Sequence, residues 1–209
     1  MKGVSRASII CGGVDMRAGV ASVLAFALFL AACVPMSVSY YRPGAAYGKV
    51  VKAWCPPVHS VILFDVHDVI VGFEVSAIQQ NRVLAIMTFE IPEKHSVQLI
   101  DRFVAIHSST QASSQGELTG WVWTSAGRTG EISLNTPMYG KTEERLFDQI
   151  TRYGKTKHAY YFLQAEVATT PLEKLFVKPP RFLVNGMQIE LPVITFSRIS
   201  ESYIGSLNC

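Results

Sequence analysis

The densest run of side chains able to do chemistry is Asp65-Val66-His67-Asp68, with His59 six residues upstream. In an extended chain Asp65 and His67 share a face, so an acid–base pair or a metal site can be drawn there. Two apolar runs flank the segment, however. Asp at such a junction bonds its own backbone, which makes a strand-to-strand turn the better reading. Trp121 and Trp123, two residues apart, would lie on one strand face as a stacking platform for a sugar ring or a partner, with Trp54 a further aromatic anchor. Aromatics at period two more often fill a core, and the run Tyr160-Tyr161-Phe162 is read the same way. Glu143 and Glu144 fit the first turn of a helix, where carboxylates complement the dipole, better than a catalytic pair. The chain holds no G-x-S-x-G, H-E-x-x-H, P-loop, G-x-G-x-x-G or EF-hand pattern. The expectation is a non-enzymatic protein with no catalytic residues, no cofactor and no metal.

The elements that would position these groups are mostly strands. Val58–Phe64, Val69–Ala77 and Arg82–Glu90 are β-branched and aromatic runs of strand length, and Val97–His107 alternates loosely. Leu118–Thr124 and Ala159–Val167 alternate clearly; Ile132–Met138 is a weaker extended segment. Ser108–Gly116 and Ser125–Gly130 read as a loop and a turn. One short helix is expected from Thr142 to Gly154, with Leu146, Phe147 and Ile150 on its apolar face. Asn185-Gly186 predicts a type I′ hairpin pairing 184 with 187, 183 with 188, 182 with 189 and 181 with 190. That register places Phe182, Val184, Met187 and Ile189 on one face and sets Arg181 opposite Glu190. About eight such strands predict a mainly β fold, a β-sandwich of immunoglobulin-like architecture with one short helix. A β-barrel is the alternative. With 49% apolar and 17% charged residues the 209-residue chain is not disordered. Nineteen basic against 16 acidic residues give no bias toward nucleic acid.

The N-terminal region has its own pattern. Ala18 to Ala32 is 15 residues without a charge, behind Arg17. That is too short to span about 30 Å of hydrocarbon and fits the apolar region of a signal peptide. It closes in Leu30-Ala31-Ala32-Cys33, which resembles the lipobox of bacterial lipoproteins. The resemblance covers the leader alone. It implies cleavage before Cys33, and a diacylglyceryl thioether and an N-acyl chain on Cys33, enough for stable anchoring. Val34 after the cysteine favours the outer over the inner membrane. The chain then divides into a signal peptide (1–32), a lipidated cysteine with a tether (33–50) and a single β-rich domain (51–209). With Cys11 lost in the leader and Cys33 acylated, Cys55 and Cys209 remain in an oxidising compartment. That arithmetic predicts a disulfide; free or intermolecular thiols are the alternative.

Together these features predict a lipid-anchored protein of the bacterial envelope, facing the periplasm. Its expected role is to bind or help assemble another envelope protein, with the membrane and that protein as partners. A small envelope hydrolase with a scattered site is an alternative. So is an inhibitor or immunity lipoprotein acting through a protruding Ser108–Gly116 loop.

Overall fold

Alternately buried apolar residues mark the longer strands. The computed structural model describes residues 35–44, 46, 48–52, 60–79, 81–108, 113–124, 127–140, 150–151, 154–155, 159–170 and 172–204. The strands, in chain order, are β1 (Pro35–Pro43), β2 (Lys49–Lys52), β3 (Ser60–Val66), β4 (Val69–Gln79), β5 (Arg82–Ile91) and β6 (Ser96–Leu99). They continue with β7 (Phe103–His107), β8 (Ser114–Glu117), β9 (Thr119–Thr124), β10 (Gly127–Glu131), β11 (Met138–Tyr139) and β12 (Ile150–Thr151). The last are β13 (Gly154–Lys155), β14 (Ala159–Ala168), β15 (Lys174–Lys178), β16 (Phe182–Val184), β17 (Met187–Ile189) and β18 (Ile194–Ile204). All pairings are antiparallel.

A seven-stranded sheet, ordered β10-β9-β14-β5-β4-β3-β2, forms one layer. Its odd-numbered residues on β4, β5 and β14, from Val71, Phe73 and Val75 to Leu163 and Val167, point into the core. A five-stranded sheet, β1-β18-β15-β7-β8, meets it: the Phe73 and Phe196 rings lie 6.4 Å apart. A four-stranded sheet, β11-β6-β16-β17, meets the same face, with Phe182 edge-on to Phe89 at 5.3 Å. The fold is therefore mainly β, as a sandwich requires: two inner faces share one core. Close backbone approach shuts one edge. A Cβ on Gly116 of β8 would lie 2.5 Å from the Glu166 carbonyl oxygen of β14, so only glycine fits.

Four sequence expectations change. The expected tether over 33–50 is in fact a strand from Pro35: β1 pairs with β18 through nine residues, and Tyr40 and Tyr41 are buried. Tyr41 donates its hydroxyl to the Leu172 carbonyl at 2.7 Å. The helix expected to run to Gly154 is not seen at its C-terminal end. Ile150–Thr151 pairs with Gly154–Lys155 as a two-stranded ribbon, residues 141–149 lie outside the described set, and no helix occurs among the described residues. The Ser108–Gly116 loop is partly strand: Ser114–Glu117 pairs with β7, and Ser108 and Gly116 are buried. The turn expected at Ser125–Gly130 likewise opens into β10 from Gly127.

The hairpin register holds where it is set by the turn. Val184 pairs with Met187, Leu183 with Gln188 and Phe182 with Ile189. Asn185 and Gly186 have φ of 52° and 82°, the two left-handed positions a type I′ turn needs. The ion pair expected beyond it does not form. Arg181 instead grips Asp101, with Nε to Oδ2 at 2.7 Å and Nη2 to Oδ1 at 3.0 Å, and Glu190 pairs with Lys178 at 3.5 Å. A bidentate guanidinium–carboxylate fork outcompetes a single cross-strand contact.

Candidate functional site

The turn at His67-Asp68 joins β3 to β4 in two residues, with φ of 49° and 68°. Left-handed backbone suits Asp and His better than most side chains, because short polar groups bond locally. Asp65 and Val66 are the last paired residues of β3, so only His67-Asp68 forms the turn, and it does chemistry only through what other loops bring to it. The β5–β6 connection brings His95, whose Nε2 lies 3.9 Å from the Asp68 carboxylate. His95 Nδ1 faces the Glu93 carbonyl at 3.0 Å, which fixes the ring. Its neighbour Ser96 donates its backbone N–H to Asn185 Oδ1 at 2.9 Å, and the Asn185 N–H returns to the Ser96 carbonyl at 3.0 Å. The Gly140 N–H donates to the His95 carbonyl, which places Tyr139 alongside.

Four loops thereby converge at one end of the sandwich. His67, Asp68, Lys94 and Asn185 are the four non-glycine residues with positive φ among the described residues, and all four sit there. Tyr139 stands 60% exposed beside them, its backbone carbonyl held by the buried Tyr161 hydroxyl at 2.7 Å. Burial pushes the Tyr161 phenol up from its ordinary pKa, so its O–H stays a donor. The arrangement is a hydrogen-bonded polar rim beside one exposed aromatic ring.

A second feature lies on the flank. Arg102, Glu117, Glu131 and Asn135 border an open cleft of about 270 Å³ floored by Leu118 and Gly120. On the outer face of the five-stranded sheet, His107 stacks on Phe176 at 5.3 Å with the Lys174 ammonium over the same ring. Among the described residues no three His, Cys, Asp or Glu side chains come together as a metal site.

The remaining candidate residues divide clearly. Trp121 is 8% exposed and stacks on Phe162 at 4.6 Å, so it belongs to packing and not to an open platform. Cys33, Cys55, Cys209, Trp54, His59, Glu143, Glu144 and His158 lie outside the described residues, as does the side chain of Trp123. Sequence reasoning missed His95, Asn185 and Tyr139 as a group. Asp68 and His95 are 27 positions apart, and only the strand register joins them. Neither a known protein family, nor a characterised protein, nor a solved structure matches this chain.

Proposed function

We propose that this chain is a lipid-anchored, non-catalytic binding or assembly protein of the bacterial envelope, held at the outer membrane and facing the periplasm. The observation that carries the reading is Leu30-Ala31-Ala32-Cys33, closing a 15-residue uncharged run directly ahead of a β-sandwich. Lipid on Cys33 supplies the membrane partner. The protein partner docks at the Asp68–His95–Asn185 end, where Tyr139 is the anchor and the hydrogen-bonded turns pre-order the rim. Pre-ordering matters because little conformational freedom is then lost on association.

Replacing Cys33 with Ala and following fatty-acid labelling and membrane fractionation tests the anchor. Loss of label with release from the membrane supports it; persistent labelling refutes it. For the docking end, Tyr139→Ala should weaken capture of the partner from crosslinked membranes without lowering the melting temperature. Undiminished capture by Tyr139→Ala contradicts that assignment.

A further inference from the structure

The first strand begins at Pro35 and is paired residue by residue, Pro35 with Ile204 through to Pro43 with Phe196. Only Val34 stands between Pro35 and Cys33. An extended chain gains at most about 3.6 Å per residue, so the two Cα atoms are within about 7 Å. The headgroup layer on each side of a bilayer is itself about 5–8 Å deep. A cysteine whose thioether holds glycerol at the base of that layer therefore leaves the start of β1 no clearance from the lipid surface.

The direction of β1 says which end of the sandwich is brought down. Pro43 pairs with Phe196, whose ring meets Phe73 in the middle of β4. Val38 pairs with Glu201, which binds the Lys52 ammonium at 3.2 Å, and Lys52 pairs with Ser60 at the start of β3. From Pro43 back to Pro35, β1 thus runs toward the end where β3 begins and β4 turns into β5. That end carries Ile78, 45% exposed, the exposed Asn81, and Arg82 with its guanidinium on Glu166 at 2.9 Å. The His67-Asp68, Asn185-Gly186 and Tyr139 loops lie at the opposite end.

We infer that the Ile78–Arg82 end of the sandwich rests on the phospholipid headgroups, so that the Tyr139 end is held away from the membrane. This rests on the lipid-anchor reading above. Ile78 supplies an apolar contact at the interface, with the exposed Asn81 and the Arg82–Glu166 ion pair around it at headgroup level. The near-absent tether converts the anchor from a leash into an orienting device.

The test uses the full acylated chain in membranes. A benzophenone amino acid is placed at Ile78 or at Tyr139, both exposed, and photocrosslinking to labelled phospholipid is measured beside fatty-acid labelling of the same samples. The expected result is several-fold more lipid crosslinking from position 78 than from 139. A Gly/Ser linker of about ten residues inserted between Val34 and Pro35 adds roughly 17 Å of reach. It should lower the position-78 signal several-fold and leave acylation unchanged. Acylated protein with equal crosslinking at both positions, or a linker without effect, overturns the orientation and leaves the anchor standing. Absence of fatty-acid label from the parent chain overturns the anchor reading itself.

Discussion

Tyr41 separates a folded β1 from a flexible leash more sharply than any other residue. Its side chain is 1% exposed and packed in the shared core, and its hydroxyl donates to the Leu172 carbonyl at 2.7 Å. Truncating a buried aromatic to alanine costs about 3–5 kcal/mol. Removing the hydroxyl alone strands one buried acceptor, at about 1–2 kcal/mol. For a domain of this size each kcal/mol moves Tm by roughly 2–4 °C. Tyr41→Ala should therefore lower Tm by roughly 10 °C, and Tyr41→Phe by roughly 2–8 °C. Ser39→Ala on the same strand, exposed and bonded only to the Ser200 hydroxyl at 2.7 Å, should change stability by no more than about 0.5 kcal/mol. The assays on the Cys33→Ala chain are thermal melting, read as Tm, and urea unfolding, read as a shift in midpoint at constant slope. The alkaline limb gives an independent check. Burial raises the Tyr41 pKa from 10.0 to about 12. The folded state holds that proton more tightly than the unfolded state. Its contribution is complete below pH 10 and is lost as pH rises toward about 12. Tyr41→Phe should accordingly be less sensitive to pH across that window than the parent. A Tyr41→Ala midpoint within about 0.5 kcal/mol of the parent would refute the placement of β1 in the domain.

Four further outcomes follow from named residues. Gly186→Ala meets no atom within 4 Å but keeps a φ of 82°, so its cost is backbone strain alone, about 1–2 kcal/mol in chemical unfolding; an unchanged midpoint contradicts the type I′ turn. Asn185→Gly keeps the turn and loses the Ser96 bond, and should cost less than about 1 kcal/mol. The Arg181 guanidinium holds the Asp101 carboxyl below the usual carboxylate range, so its contribution is present above about pH 4 and lost as pH falls through the folded pKa. Asp101→Asn should lose stability at neutral pH and show a flatter acid limb; an acid limb identical to the parent's argues against the pair. Cys55 and Cys209 are expected to be joined. Lys52 and Glu201, three and eight residues before them, already touch at 3.2 Å. Mass spectrometry without reductant should find one bridge, and alkylation of both thiols would refute it.

How much of this was legible in the sequence depends on where the determining contacts lie. β4, β5 and β14 were readable because apolar and β-branched residues dominate runs of ten or eleven positions, which the lone Gly72 of β4 does not interrupt. The hairpin was readable because Asn-Gly fixes its own register within four residues. β1 was not, because Pro35, Pro43 and Gly44 look like linker punctuation. Proline is tolerated at the ends of an edge strand, and β1 is the edge of its sheet with proline as its first and last residue. β8 was hidden for a related reason: Ser-Gln-Gly-Glu has no apolar period, and Gly116 is there because the Glu166 carbonyl leaves no space for a side chain. Arg181 was matched to the nearest opposite charge along the hairpin, whereas its partner Asp101 is 80 residues away. The candidate site was legible as one turn and not as a site. His67-Asp68 announced itself, but His95, Asn185 and Tyr139 join it through sheet pairing that no linear spacing encodes.

The central claim is that the mature protein starts at Cys33 and carries lipid there, with the sandwich beginning two residues later. The most direct measurement is the mass of the N-terminal peptide of the protein purified from membranes. The account predicts a peptide beginning at Cys33 with the added mass of a diacylglyceryl group and an N-linked acyl chain. An unmodified N-terminus at Cys33, or a peptide extending upstream through Leu30-Ala31-Ala32, would contradict it.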